Sequence, residues 1–398
     1  MDGVSVRDQT AIVGVGSTPY YRRGQSLPQT KLELACKAII AACDDAGLSV
    51  KDVDGFAYYS GGFDTALIAQ MLGIPEVKFT ATLTGGGGGA AASVGLASAA
   101  IVSGQAEVVV SLMTLQQVPD NRFGAAFATK GKGQYSAPTT PETDFVAPSG
   151  LFAPGQMFSM LTKRHMHQYG TRREAFAEIA ISQRENAIRR PTARFQNAIT
   201  VDDYFNARMI SDPLCLFDYT QENDGAAAVI TTSAERARDL RKPPAYVVAS
   251  AHGGAGRWGQ SITWMGMPDE YFASSGHRPI AKRVYEQAGV GPEDIDVALL
   301  YDHFTPMVLM QLEDYGFCDI GDGGNFVEEG NIRWKTGSIP VNTHGGNLSE
   351  AYIIGMTHVI EAVEQVRGEA VNQVEGAEFA LATGGPAPIP TSALIVRR

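Results

Sequence analysis

Two glycine clusters and a small set of tyrosines and histidines hold the chain's capacity for chemistry. Gly85 to Gly89 precede a run made almost wholly of Ala, Ser, Gly and Val, and Gly345-Gly346 precede a second run rich in Ala and Ile. A glycine-rich entry to a helix leaves bare backbone N–H groups, which suit an oxyanion or a carbonyl oxygen. A P-loop is excluded because no Gly-Lys-Ser or Gly-Lys-Thr closes the first run. A dinucleotide fingerprint is excluded because Gly14-Val15-Gly16 runs into Ser17-Thr18-Pro19. The same glycines also read as packing residues that let a helix lie tightly between layers.

Tyr301 ends the apolar run VALLYDHF, where strands of α/β sheets present functional groups. It is read as a base or proton relay, against a core tyrosine with a satisfied hydroxyl. A free phenol with a pKa of about 10 is a weak base at neutral pH, so the role needs a relay or a cationic neighbour. Tyr352 stands in a helix-entry segment and is read as a proton donor or enolate stabiliser. His344, before Gly345-Gly346, is a candidate for a thioester oxygen. His303 shares a face with Tyr301 if the strand runs that far, or is a satisfied core histidine. Asp302 reads as structural, and Asn223-Asp224 before Gly225 reads as a turn. His165 and His167, two apart on a helix, do not share a face, so no metal pair is expected.

The elements that must position these groups come in duplicate. Residues 37–59, KAIIAACDDAGLSVKDVDGFAYY, and 279–301, PIAKRVYEQAGVGPEDIDVALLY, each read as amphipathic helix, Gly cap, short turn and apolar strand. Each half opens on a strand, Ala11 to Val15 and Ala245 to Ser250, and each carries a glycine-led helix before a further strand, Ala106 to Met113 and Ala377 to Thr383. This predicts α/β layers from a repeated unit. The charged, proline-ended stretch 233–244 marks the joint, giving an N-terminal half 1–240 and a C-terminal half 241–398. Residues of about 125–215 fall outside the repeat and read as a cap or loop insertion over a site or a partner surface.

Composition narrows the function. The 398 residues are 44% hydrophobic and carry a net charge of −11. That balance disfavours nucleic-acid and membrane-surface partners. No apolar run is long enough to span a bilayer, and the N-terminus lacks the basic and apolar regions of a signal peptide, so a cytoplasmic location is expected. Cys36, Cys43, Cys215 and Cys318 lie far apart and read as free thiols.

Across nearly its whole length the chain resembles the sterol-carrier-type branch of the thiolase superfamily. The resemblance lies in VGVGSTPY at 13–20, HMHQYGTRREAFAEIA at 165–180, NAIRRPTARFQ at 186–196 and SDPLCLFDYTQENDGAAAVI at 211–230. It continues in YDHFTP at 301–306, SIPVNTHGGNLSEAYIIG at 338–355 and the terminal GGPAPIPTSALIVRR. It implies a thiolase fold, with βαβαβαββ halves in a five-layered α-β-α-β-α arrangement.

The departures from that family say more. Its nucleophilic cysteine slot falls at Gly87, its Gly-His-Pro histidine at Tyr352, and its His-Asp-Cys-Phe at Tyr301-Asp302-His303-Phe304. The loop that carries a second cysteine reads Ala382-Thr383-Gly384-Gly385. Without a thiolate, acyl transfer through a covalent thioester has no carrier. Retro-aldol cleavage of a β-hydroxyacyl-CoA needs only a base, an acid and an oxyanion site. The pattern is similar to the aldolases of bacterial steroid side-chain degradation. That resemblance implies a 17-hydroxy-3-oxo-pregnene-carboxyl-CoA substrate, giving a 17-keto steroid and propionyl-CoA.

The expected site is thus Tyr301 and Tyr352, with His344 and His303 as further candidates. Gly86, Gly87, Gly88, Gly345, Gly346, Gly384 and Gly385 are expected to bind substrate or oxyanion. No metal is expected, and no cofactor beyond the CoA of the substrate. The resemblance also implies a homodimer and a small acyl-CoA-associated partner combining a zinc ribbon with an OB fold. Two alternatives stand: a non-catalytic acyl-CoA-binding subunit of a heteromeric complex, and a thiolase or acyltransferase with an unusual nucleophile.

Overall fold

Local sequence sets the repeated unit residue by residue. Helix α1 (Lys31–Ala46) starts at Thr30, whose hydroxyl accepts the Glu33 N–H, and stops at Gly47 with φ 74°. A 3-10 turn at Val50–Asp52 then leads into strand β3 (Gly55–Tyr59). In the second half, the helix Arg278–Ala288 stops at Gly289 with φ 64°, a 3-10 turn follows at Pro292–Asp294, and the strand Val297–Leu299 comes next. These features come from a computed structural model that describes residues 6–59, 64–83, 86–117, 147–151, 153–254, 273–385 and 390–398.

The remaining strands are β1 (Thr10–Ser17), β2 (Tyr21–Arg22), β4 (Phe79–Leu83), β5 (Val108–Leu115), β6 (Met209–Ser211), β7 (Leu214–Cys215) and β8 (Asn223–Ser233). In the second half they are β9 (Ala245–Gly253), β10 (Val297–Leu299), β11 (Phe379–Gly384) and β12 (Thr391–Arg397). The helices after α1 are α2 (Thr65–Leu72), α3 (Gly89–Val102), α4 (Pro154–Tyr169), α5 (Arg173–Ala187), α6 (Val201–Asn206) and α7 (Ala234–Ala237). They continue as α8 (Arg278–Ala288), α9 (Thr305–Asp314), α10 (Gly323–Glu328), α11 (Gly346–Ser349) and α12 (Met356–Arg367).

Strand order repeats between the halves. The first half runs β4-β3-β5-β8-β1, the second β10-β11-β12-β9, and the two join edge to edge. In each half the inner crossovers are parallel and the last two pairings antiparallel. The counterpart of β4 has shrunk to one parallel bridge between Val341 and Ala298, so the second half keeps the βαβαβαββ order with one strand reduced to a contact. Only Ala11–Tyr246 and Ile12–Ala245 pair across the β1–β9 junction.

Helices α3 and α12 lie between the two sheet halves. Ala90, Ala91 and Val94 of α3 share one buried cluster with Val359, Val363 and Val366 of α12 and with Ile12, Val229, Leu299 and Leu394 of both sheets. Helix α1 closes the outer face of the first half and α8 that of the second, which makes five layers. The small residues of α3 are a packing requirement. A Cβ on Gly95 would lie 2.3 Å from Ser250 Oγ of β9.

Of the expected insertion, residues 125–146 and 152 lie outside the described residues. Its helices α4 and α5 pack on the second half, where Phe158, Leu161, Phe176 and Ile179 join Met307, Leu309 and Leu348 in one core. His165 on α4 is buried and has both ring nitrogens engaged, by Thr171 and Glu313. Among the described residues no helix is long and apolar enough to cross a membrane.

Candidate active site

Tyr301 lies two residues beyond β10, against Gly87 before α3 and Gly355 at the head of α12. Its peptide is held by side chains rather than by a strand. Its N–H donates to Thr383 Oγ1 at 2.8 Å, and its carbonyl accepts from Gln311 Nε2 at 2.8 Å. Thr383 donates in turn to Gln311 Oε1 at 2.6 Å, closing the bracket. The ring is 1% exposed and packs between two glycines from different elements. A Cβ on Gly87 would lie 2.2 Å from both Cζ and Oη of Tyr301, and one on Gly355 would lie 2.9 Å from Cδ2. The phenol therefore fills the volume that a side chain at residue 87 would need.

Tyr352 meets it hydroxyl to hydroxyl at 3.3 Å. Residues 351 and 352 belong to neither α11 nor α12, and the segment turns through Ile354 at φ 52° and Gly355 at φ 83°. Asn223, fully buried at the start of β8, accepts the Tyr352 N–H at 2.7 Å and donates to its carbonyl at 3.3 Å. The sequence reading of Asn223-Asp224 as a turn is corrected here. Both residues are in β8, paired with Arg22 and Tyr21 of β2, and Asp224 accepts from Ser26 and Gln117. An Asx-Asp-Gly run has turn chemistry, but strand pairing overrides it.

The glycines divide into two groups. Gly86–Gly88 form a 3-10 turn leading into α3, and Gly384-Gly385 abut it. A Cβ on Gly385, at φ 102°, would lie 3.0 Å from Gly88 Cα, and one on Gly384 would lie 2.9 Å from the Gly87 carbonyl. Ser392 Oγ donates to the Gly88 carbonyl at 2.7 Å. Backbone from both halves thus meets beside the Tyr301 phenol. Gly345 and Gly346 are not brought there. A Cβ on Gly345 would strike Ala187, and one on Gly346 would strike Asp302.

His277, which the sequence gave no reason to single out, supports the second glycine turn. A carbonyl can only accept, so Nε2 donates to the Gly385 carbonyl at 3.1 Å and Nδ1 accepts from the Tyr315 hydroxyl at 2.9 Å. Burial pushes its pKa down to about 4, which keeps that tautomer neutral.

The two candidate histidines differ in position. β10 stops at Leu299, so strand alternation does not reach His303. Its ring nevertheless lies 5.3 Å from that of Tyr301, edge-on to Phe158 at 4.4 Å. It is 9% exposed, neither ring nitrogen has a hydrogen-bond partner among the described residues, and burial followed by the nearby His277 lowers its pKa to about 3. His303 is therefore a neutral imidazole beside the phenol pair. His344 is fully buried, and its ring contact is with His358 at 4.7 Å. Burial, then His358 and Arg190, hold it well below the usual imidazole range. Both of its ring nitrogens, like those of His303, have no hydrogen-bond partner among the described residues.

Asp302 is structural, as the sequence suggested. It is fully buried, caps α11 by accepting the N–H groups of Asn347 and Leu348, and sits 3.0 Å from His358 Nε2. Behind Tyr352, Arg190 pairs with three carboxylates: Glu350 at 2.7 Å, Glu361 at 2.6 Å and Glu364 at 2.7 Å. Burial raises Glu350 to about 8 and Glu364 to about 7 against the pull of Arg190.

The site offers two phenols in mutual contact, a neutral imidazole and glycine backbone from both halves. It contains no thiol. All four cysteines are unpaired, they lie on other elements, and burial raises the thiol pKa of each, Cys43 to about 12. Such an arrangement can move protons and hold an oxyanion, but it cannot carry an acyl group on sulfur.

Comparison with known proteins places these features in context. The thiolase C-terminal domain-like family matches residues 254–396. The chain is 38% identical to 17-hydroxy-3-oxo-4-pregnene-20-carboxyl-CoA lyase of Mycobacterium tuberculosis, over 98% of this chain and 99% of that protein. It is also 38% identical to the steroid side-chain-cleaving aldolase of Thermomonospora curvata, over 97% of each. The solved Ltp2-ChsH2(DUF35) aldolase is 37% identical, with a TM-score of 0.88 over 99% of this chain and 98% of that one. Human mitochondrial 3-ketoacyl-CoA thiolase, at 17% identity and a TM-score of 0.68 over 99% of each chain, shares the fold.

Proposed function

The chain belongs to the sterol-carrier-type branch of the thiolase superfamily, among its steroid side-chain-cleaving aldolases, and from that premise we propose how its site breaks a carbon–carbon bond. The enzyme is a carbon–carbon lyase that cleaves a β-hydroxyacyl-CoA by retro-aldol chemistry. The observation that carries the mechanism is the Tyr301–Tyr352 hydroxyl contact at 3.3 Å, in the space a nucleophile at residue 87 would occupy.

As the Cα–Cβ bond breaks, one hydroxyl of the pair takes the β-hydroxyl proton while handing its own to the second hydroxyl, which hands its own to the α-carbon, so that a ketone leaves as negative charge develops on the thioester oxygen. Backbone N–H groups of Gly86–Gly88 and Gly384-Gly385 hold the enolate oxygen. The proton lost from oxygen equals the proton gained by carbon, so a pair of touching phenols completes the cycle without acyl transfer. His303, neutral and beside Tyr301, faces a polar atom of the substrate.

The substrate is a 17-hydroxy-3-oxo-pregnene-carboxyl-CoA, split into an androstenedione-type 17-keto steroid and propionyl-CoA, as the names of the two relatives support. CoA enters as part of the substrate, and no further cofactor is needed. The halves divide at 240/241. We extend the reading to a cytoplasmic homodimer that works with a small zinc-ribbon/OB-fold partner, which the two-component name of the solved relative supports.

The test is to incubate the chain, with and without such a partner, with β-hydroxyacyl-CoA thioesters and to identify products by mass spectrometry. Propionyl-CoA with an equimolar ketone is expected. Acetyl-CoA released from a 3-ketoacyl-CoA and free CoA would restore thiolysis. Tight acyl-CoA binding without any product would favour a non-catalytic subunit.

A further inference from the structure

We infer that Asn223 is a positioning residue for the cleavage, holding Tyr352 in reach of Tyr301 from the opposite half of the molecule. The inference rests on the retro-aldol reading of the tyrosine pair. Asn223 is 129 positions away from Tyr352, fully buried, and held by the backbone pairing of β8 with Arg22 of β2. Its carboxamide presents an acceptor and a donor in one plane, matching the N–H and C=O of residue 352 at 2.7 and 3.3 Å.

That match matters because nothing regular holds this stretch of backbone. Residue 352 is in neither a helix nor a strand, and the following turn adopts positive φ at both Ile354 and Gly355. Upstream, the Glu350 carbonyl accepts from the Arg194 N–H at 2.8 Å. Asn223 pairs with both polar groups of the peptide backbone that bears the phenol. Removing the amide would leave a partly buried N–H and C=O without these partners, free to swing toward others. A hydroxyl contact of 3.3 Å tolerates little drift, and misplacement of about 1 Å can cost on the order of 100-fold in rate.

The experiment compares wild type with Asn223→Leu, Asn223→Ala and Asn223→Asp. Asn223→Leu should lower kcat by about 10–100-fold with KM changed less than about threefold, because the loss is in orientation and not in substrate binding. Asn223→Asp keeps the acceptor for the Tyr352 N–H and should fall between. A second readout does not depend on turnover: the near-ultraviolet phenolate titration of Tyr352, isolated by subtracting the curve of Tyr352→Phe. In Asn223→Leu that curve should move, since the neighbour of the phenol has changed.

Unchanged kcat together with a superimposable titration overturns the inference. If wild type cleaves no β-hydroxyacyl-CoA, the proposed function fails, and the titration alone still decides the role of Asn223. Asn223→Ala carries the same test where the leucine variant does not fold. If neither folds, Asn223 serves stability and the positioning claim falls.

Discussion

The ring of Tyr301 stands where the side chain of residue 87 would have to be. A methyl group at Gly87 would approach both Cζ and Oη to 2.2 Å. Gly87→Ala should therefore destabilise the fold by about 1–3 kcal/mol through overpacking. The same change in a Tyr301→Ala background should cost less. Denaturant unfolding of the four proteins in this cycle measures the difference. An equal cost in both backgrounds would place the ring elsewhere.

The phenol pair should fail as a unit. Tyr301→Phe and Tyr352→Phe each remove one hydroxyl from a contact that needs two, and each should lower kcat by about 10²–10⁴-fold. The double variant should be little worse than either single one, because a broken relay cannot be broken twice. Thermal unfolding should change only slightly, as one hydrogen bond is worth about 1 kcal/mol. Multiplicative losses in the double variant would assign the two hydroxyls to separate steps.

Asp302 makes a contrasting case. It accepts two N–H groups at the head of α11 and lies against His358, all out of water. Asp302→Ala should destabilise by about 2–4 kcal/mol, and Asp302→Asn by less, since the amide keeps one acceptor. Chemical denaturation checks both. A fully stable alanine variant that has lost only turnover would make Asp302 catalytic.

Acid should unfold the protein through its interior histidines. Burial depresses His277 to about 4 and His303 to about 3, both below the ordinary 6.5. Each binds fewer protons when folded than when unfolded. The stability each contributes is present above about 6.5 and is lost as pH falls through that value toward the folded pKa. Replacing either by glutamine should flatten the slope of stability against pH in that interval, by an amount on the order of 1–3 kcal/mol. Unfolding midpoints measured at a series of pH values test this.

Arg190 should show the opposite sign. Glu350 and Glu364 are raised by burial to about 8 and about 7, so the folded state binds more protons than the unfolded state above their ordinary 4.5. Their contribution to stability therefore falls as pH rises toward those values. Arg190→Met leaves three facing acids without their cation and should cost about 3–5 kcal/mol once pH rises past about 8, with the deficit shrinking as pH falls and the acids take up protons. The same unfolding series, run on this variant, should show that trend.

The sequence carried the frame of the molecule better than its interior contacts. The helix–glycine–turn–strand unit repeats at α1–β3 and α8–β10 because its signals are local: a cap, a left-handed glycine and an apolar run. The loss of the nucleophile could be read at Gly87, and the two tyrosines at the histidine slots. What took its volume could not be read, since Tyr301 and Gly87 meet only through the fold. Asn-Asp-Gly has turn chemistry and so points Asn223 to a turn, whereas its partner lies 129 positions away. His277 reaches a carbonyl 108 positions on, and the acids around Arg190 come from α12 and from the segment before Tyr352, so no spacing links them.

Only two residue pairs stitch β1 to β9, yet the proposed centre is assembled across that seam. The first half brings Gly87, Gly88 and Asn223, and the second brings Tyr301, Tyr352, Gly384 and Gly385. Neither piece, expressed as a separate fragment, would contain a competent centre. Complementation of the two in one cell would have to rebuild the buried α3–α12 interface before any turnover returned, so catalysis itself would report on reassembly.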